Sequence, residues 1–137
     1  MIILDDHLAL LAIAGRLPGD SAHETLTTTY SFHYRLVRAV SDDASHGSLS
    51  RRLPNPAVAL RRLVHPPADR LTVLDPRSSL EVAVAAARRH NANLILAELI
   101  GAAVFHGAKV RLTAGNVGLG WPAAMAAEGI DMTTVTV

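Results

Sequence analysis

Two adjacent carboxylates, Asp5 and Asp6, stand between the apolar run that opens the chain and a helical pattern of Leu8, Leu11 and Ala12. Acids at such a junction can cap the helix and favour its dipole. Joined by further oxygen ligands, they can instead hold a hard divalent ion. Glu98 is the only charged residue between Asn93 and His106, in a stretch that is apolar all round. Burial follows, and a buried carboxylate needs a partner. An arginine is the expected partner, with a metal ion as the competing choice. Asn116 lies in a run spotted with Gly115, Gly118 and Gly120, where asparagine commonly holds a turn and also carries a carbonyl oxygen able to ligate. That run lacks a lysine and the spacing of a phosphate-binding loop, so it reads as a flexible lip. Trp121 is expected to pack it against the core. The seven histidines include no His-x-x-x-His pair and no other short ligand spacing, which makes them solvated or packing residues.

The elements that must position these groups alternate. Met1 to Leu4 reads as a strand and the segment up to Gly15 as a helix with an acidic start. After the turn Pro18-Gly19-Asp20 and a short helical stretch, Leu26 to Tyr30 forms the second strand. Phe32, Leu36, Val37 and Val40 then share one helical face. Of the aromatics around the mouth of that strand, Tyr30, Phe32 and Tyr34, one or two are expected in the core and one lining a crevice. Asp42 to Ser50 reads as a loop, and Pro54 to Val64 as a helix stopped by His65-Pro66-Pro67. A strand over Leu71 to Leu74 precedes helices over Ser78 to Arg89 and Leu94 to Phe105, broken at His90 to Asn93. Val110 to Thr113 returns to strand, Pro122 to Glu128 is a short helix stopped by Gly129, and Met132 to Val137 is the final strand. Such alternation implies a parallel sheet covered on both faces, with its functional crevice at the carboxyl ends of the strands. Asp5, Asp6 and the residues after Tyr30 and Thr113 should gather there.

At 137 residues and 50% hydrophobic composition, a single domain over 1–137 is expected. No apolar run approaches the length of a membrane helix, and the opening MIILDDHL carries acids where a signal peptide carries positive charge. A soluble cytoplasmic protein without membrane partners is the reading. With no cysteine, disulfide frameworks and thiolate metal sites are excluded. A net charge of +1 excludes a strongly basic nucleic-acid wrapper, although His33 to His90 holds ten arginines against five acids. The pairs Arg51-Arg52, Arg61-Arg62 and Arg88-Arg89 read as solvated helix ends and faces.

An acid ending the first strand (Asp5), Gly107-Ala108 before the fourth, Thr113 at its end and Gly129-Ile130 before the last are spaced so that the whole chain resembles the PIN domain family. These small nucleases include many bacterial toxin ribonucleases, and the likeness is to divergent PIN-like members from actinobacteria. The resemblance implies a three-layer α/β/α domain with a central, mainly parallel sheet of four to five strands. It also implies Mg2+- or Mn2+-dependent endoribonuclease chemistry, RNA and an antitoxin as partners, and homodimers formed through helices. Asp5 matches the family's first acid, with Asp6 as a helper. The family glutamate opening the helix after strand two falls on Arg35, so a ligand position carries a cation. The family's helix aspartate falls near Leu96, which displaces Glu98 by two residues, roughly 200° around the helix. The acid after strand four falls on Gly115 or Asn116.

In an active version Asp5, Glu98 and Asn116 would hold the ion, Asp6 would assist and Arg35 would contact the scissile phosphate. In a degenerate version the carboxylates pair with Arg35, and the domain binds nucleic acid or a protein partner. The degenerate version is the expectation. MIILDDHLALL also resembles the start of a response-regulator receiver domain, with Asp75 in LTVLDP as phospho-acceptor and Thr113 as switch hydroxyl. Against it, Asp75 lies 70 residues beyond Asp5, and the only lysine, Lys109, precedes Thr113.

Overall fold

Asp5 is where the first strand stops, and its geometry sets the frame for the rest. In the computed structural model, which describes residues 1–42 and 56–137, β1 (Ile2–Leu4) runs straight into α1 (Asp6–Ile13), with Asp5 as the N-cap accepting from the Leu8 amide. β2 (Leu26–Thr28) leads into α2 (Tyr30–Ser41), α3 (Pro56–Val64) and β3 (Thr72–Val73). A 3-10 turn at Pro76–Ser79 enters α4 (Leu80–His90), followed by α5 (Leu94–His106) and β4 (Lys109–Thr113). A second 3-10 turn, Ala114–Asn116, precedes α6 (Trp121–Ala127) and β5 (Met132–Val135). The expected loop beyond Asp42, the Arg51-Arg52 pair and Pro54 lie outside the described residues.

The five strands form one all-parallel sheet in the order β3-β2-β1-β4-β5. All three residues of β1 are buried, as a central strand covered on both faces requires. Alternation splits them. Ile3 joins Val110 and Leu112 in a core with α4, α5 and α6, whereas Ile2 and Leu4 face the opposite side with α1, α2 and α3. The result is the expected α/β/α layering with five strands.

Several boundaries differ from the sequence pattern for a local reason. Thr29 caps α2 through its side chain, accepting from the Phe32 amide, so strand two ends at Thr28 and Tyr30 is helical rather than extended. Tyr30 and Tyr34 consequently share an exposed helix face, each 54% accessible, while only Phe32 enters the core. The residues between Asp20 and Leu26 form turns without helix. The break between α4 and α5 is as expected: Asn91 takes the left-handed conformation that ends α4, and Asn93 caps α5. At Gly101, a Cβ would meet the Ala83 backbone at 2.8 Å, so the missing side chain is what lets α5 approach α4 so closely.

Candidate functional site at the carboxyl edge

Strand order reverses direction at β1, whose neighbours β2 and β4 lead away to opposite edges. The crevice beyond the carboxyl ends at such a switch point is where open parallel sheets bind ligands. Asp5 leaves β1 there and Asn116 follows β4. Their side chains meet, with Asn116 Nδ2 2.9 Å from Asp5 Oδ2.

Asp5 is fully buried and saturated with donors. Its Oδ1 accepts from the Leu8 amide at 2.9 Å, and its Oδ2 accepts from the Thr113 amide at 2.6 Å, from the Thr113 hydroxyl and from Asn116. The capping reading of an acid at a helix start is present at Asp5, which also stands at the carboxyl edge of the sheet. Asp6, also buried, divides its oxygens. Oδ1 accepts from Asn116 Nδ2 at 2.8 Å and from the His7 amide at 3.1 Å, with His7 Nδ1 3.4 Å away. Oδ2 forms an ion pair with Arg35 Nη2 at 2.9 Å.

Asn116 fixes the polarity of this network. Its amide nitrogen serves both carboxylates, and its Oδ1 accepts from Arg35 Nη2 at 3.2 Å. The assignment is the one the hydrogen-bond partners demand, since carboxylates only accept and guanidinium only donates. The carbonyl oxygen that could have ligated an ion beside Asp5 thus faces a cation. Arg35 itself lies over the Phe32 ring, 5.6 Å from its centroid, and remains partly open to solvent.

Glu98 belongs to a separate centre. It is buried as expected, but its partner is neither an arginine nor an arrangement of metal ligands. Oε1 accepts from the Tyr30 amide at 2.9 Å, and Oε2 accepts from the Ser31 amide at 3.2 Å and from the Ser31 hydroxyl. The carboxylate closes the N-terminus of α2, where unpaired amides and the positive dipole end receive an anion. Among the described residues no hydrogen bond or ion pair links Glu98 to Asp5, Asp6, Asn116 or Arg35. Arg35 reaches Asp6, one of the three acids Asp5, Asp6 and Glu98 with which it was expected to pair; the arginine expected as the partner of Glu98 is corrected to the Tyr30 and Ser31 donors, and Asn116 presents its nitrogen to the carboxylates. Trp121 is buried at the start of α6, and Gly118 passes so close that a Cβ would meet its indole nitrogen at 2.5 Å. The expected packing of the lip on the core is present.

Thr113, His7 and Ser31 complete the two centres and were not among the candidate ligands. A threonine ending β4 and a Ser directly after a Thr-rich strand are the signals available for two of them; nothing in the spacing marks His7. Asp75 lies after the edge strand β3, with β2 between it and β1, and is held in an exposed bidentate pair by Arg77. That guanidinium keeps its carboxyl below the usual range. The sheet order also differs from the 2-1-3-4-5 order of receiver domains, and Asp75 is not brought to Asp5.

The donor set does not fit a divalent ion. Asp5 and Glu98 already accept on every oxygen, Asp6 is neutralised by Arg35, and the fourth candidate offers a donor. Among the described residues, no group of three or more histidines and carboxylates is arranged to hold a metal. No protein-family model matches the chain, and no curated protein is similar to it in sequence. No helix among the described residues is long and apolar enough to cross a membrane.

Proposed function

We propose that the chain is a PIN-like domain whose metal site is closed by its own side chains, and that it binds single-stranded RNA at the carboxyl edge without cutting it. The observation that carries this reading is Arg35, fixed between Asp6 and Asn116 at 2.9 and 3.2 Å, where a cation of the protein takes the place of a cation from solution. The same helix supplies a binding face. Tyr30 and Tyr34 are exposed one turn apart, Arg38 follows on the next turn, and α2 contains no acidic residue. Aromatic rings accept base stacking from any sequence, and arginine supplies the phosphate contact.

The test is fluorescence anisotropy with a labelled single-stranded RNA, run with and without Mn2+, beside a cleavage assay on the same RNA. Metal-independent binding that weakens with salt is expected, falling several-fold in Tyr34→Ala and in Arg38→Glu. Metal-dependent cleavage that disappears in both Asp5→Asn and Glu98→Gln would restore an active endoribonuclease and overturn the proposal. So would an absence of binding at low salt.

A further inference from the structure

A cleft of about 330 Å³ opens beside Asn116, whose side chain has Arg35 at its oxygen end and His7 at its nitrogen end. His7, Gly115, Val135 and Thr136 line it together with Asn116, and none of Tyr30, Tyr34 or Arg38 does. Its size lies at the lower end of small-molecule pockets, so it suits one planar ring better than an extended ligand.

The supply of hydrogens decides which atom His7 presents there. Asn116 Nδ2 has two hydrogens, and the carboxylates of Asp5 and Asp6 take both, at 2.9 and 2.8 Å. His7 Nδ1, 3.4 Å from that nitrogen, therefore receives no hydrogen from it. Its other neighbour is Asp6 Oδ1, also at 3.4 Å, and a carboxylate only accepts. In the neutral ring the hydrogen consequently sits on Nδ1, and Nε2 keeps its lone pair. No hydrogen bond reaches Nε2 among the described residues, and the side chain is 29% exposed. The cleft thus offers a ligand an acceptor whose ring is oriented by Asp6.

Bases differ in what they can give such an acceptor. Cytosine carries an exocyclic amine where uracil carries a carbonyl oxygen. Uracil's own ring N–H lies between two carbonyls, whose lone pairs would face that of the imidazole. In single-stranded RNA the pairing edge of each base is free to enter a recess of this kind. Arg35 Nη2 and His7 Nδ1 lie 3.2 and 3.4 Å from the two ends of one amide, a span that a single nucleotide bridges. We infer that, on the RNA reading proposed above, the cleft takes the base of the nucleotide whose phosphate meets Arg35, and that His7 selects cytosine over uracil through Nε2.

Two titrations separate the cleft from the strand. In the first, cytidine or uridine monophosphate is added to nitrogen-15-labelled protein and the amide resonances are followed. His7, Gly115 and Thr136 are expected to shift, with cytidine monophosphate binding about three- to tenfold more tightly, the worth of one hydrogen bond. In the second, the same ratio is expected between labelled oligocytidylate and oligouridylate by fluorescence anisotropy. His7→Phe keeps a flat ring without an acceptor and should make the two bases equal in both titrations, with a circular-dichroism spectrum like that of the wild type. Equal affinity of the wild type for the two mononucleotides overturns the inference, as does a preference that survives in His7→Phe. Mononucleotides that leave the cleft residues unshifted overturn it as well, even where the strands bind. Strands that fail to bind at low salt, while cytidine monophosphate still shifts the cleft residues, overturn the RNA reading and leave the base site standing.

Discussion

Replacing Arg35 by glutamate should open the carboxyl edge to a divalent ion. Its Nη2 lies 2.9 Å from Asp6 Oδ2 and 3.2 Å from Asn116 Oδ1, so an ion bridging the carboxylates would sit only a few bond lengths from the guanidinium. At an effective dielectric constant near 20, a divalent cation ~5 Å from one positive charge is repelled by about 6 to 7 kcal/mol before relaxation. A millimolar affinity corresponds to only about 4 kcal/mol, so the arginine alone outweighs ordinary magnesium binding. Arg35→Gln removes the repulsion, and Arg35→Glu adds an attraction of similar size while freeing Asn116 to turn its carbonyl toward the ion. Titration calorimetry with Mn2+ should therefore rank Arg35→Glu above Arg35→Gln, with the wild type giving no measurable heat. Asp5→Asn in the Arg35→Glu background should abolish the gain. The reasoning fails if the wild type binds Mn2+ in the micromolar range, or if folded Arg35→Glu gains nothing.

The same arginine sets a modest stability effect. Because its side chain is 38% exposed while that of Asp6 is 4% exposed, Arg35→Ala should cost about 1 to 2 kcal/mol, between the limits for exposed and buried pairs. In a thermal melt this is a fall of about 3 to 7 °C for a domain of this size. Glu98→Ala removes an acceptor from three donors at the start of α2 and should cost about 2 to 4 kcal/mol by urea denaturation, with Glu98→Gln losing less than half of that. Gly101→Ala drives a methyl group into the Ala83 backbone, and a loss of about 1 to 3 kcal/mol in the same assay is expected. Glu128 is hydrogen-bonded by His90 and Arg89, which hold its carboxyl below the ordinary value of 4.5. A lowered folded-state pKa contributes stability above 4.5 that is lost as pH falls through the folded value. Melting temperatures of Glu128→Gln should therefore approach those of the wild type as pH drops below 4.5, and a gap that is constant with pH would refute the pairing.

The layers were legible because they rest on patterns a sequence displays directly. Continuous apolarity in Ile2 to Leu4 and in Leu99 to Ala103 marks segments buried on all sides, and asparagine, glycine and proline mark the ends of elements. Sheet order was not legible, since nothing local says that β1 neighbours β4 rather than β3. At the site, the meeting of Asp5 with Asn116 followed from the rule that parallel strands present their carboxyl ends together. The partner of Glu98 did not. Its donors are main-chain amides of Tyr30 and Ser31, and every non-proline residue carries an amide, so no residue type announces them. The helix start that exposes them was itself obscured, because the β-branched and aromatic run through Tyr30 reads as strand until the Thr29 cap is seen. His7 is unmarked in the sequence for a related reason: its place beside Asp6 is a consequence of the first turn of α1, not of any ligand spacing.

Three buried carboxylates near one sheet edge would repel one another unless something positive intervened, and the three are handled in two ways. Asp5 and Glu98 are held by donors that folding already provides, namely the starts of α1 and α2 and the Thr113 amide. These contacts form whenever the helices form, independently of any ion. Asp6 alone depends on a long side chain reaching across from α2. The same separation explains why a cation at position 35 is compatible with a stable fold: it replaces what the local electrostatics of Asp6 require, while the backbone supports the rest. The edge therefore has one adjustable contact, Arg35 with Asp6, and a ligand phosphate drawing the guanidinium outward would leave Asp6 held by Asn116 and the His7 amide. Binding through Arg35, which the proposed RNA contact requires, would then expose no carboxylate without a donor.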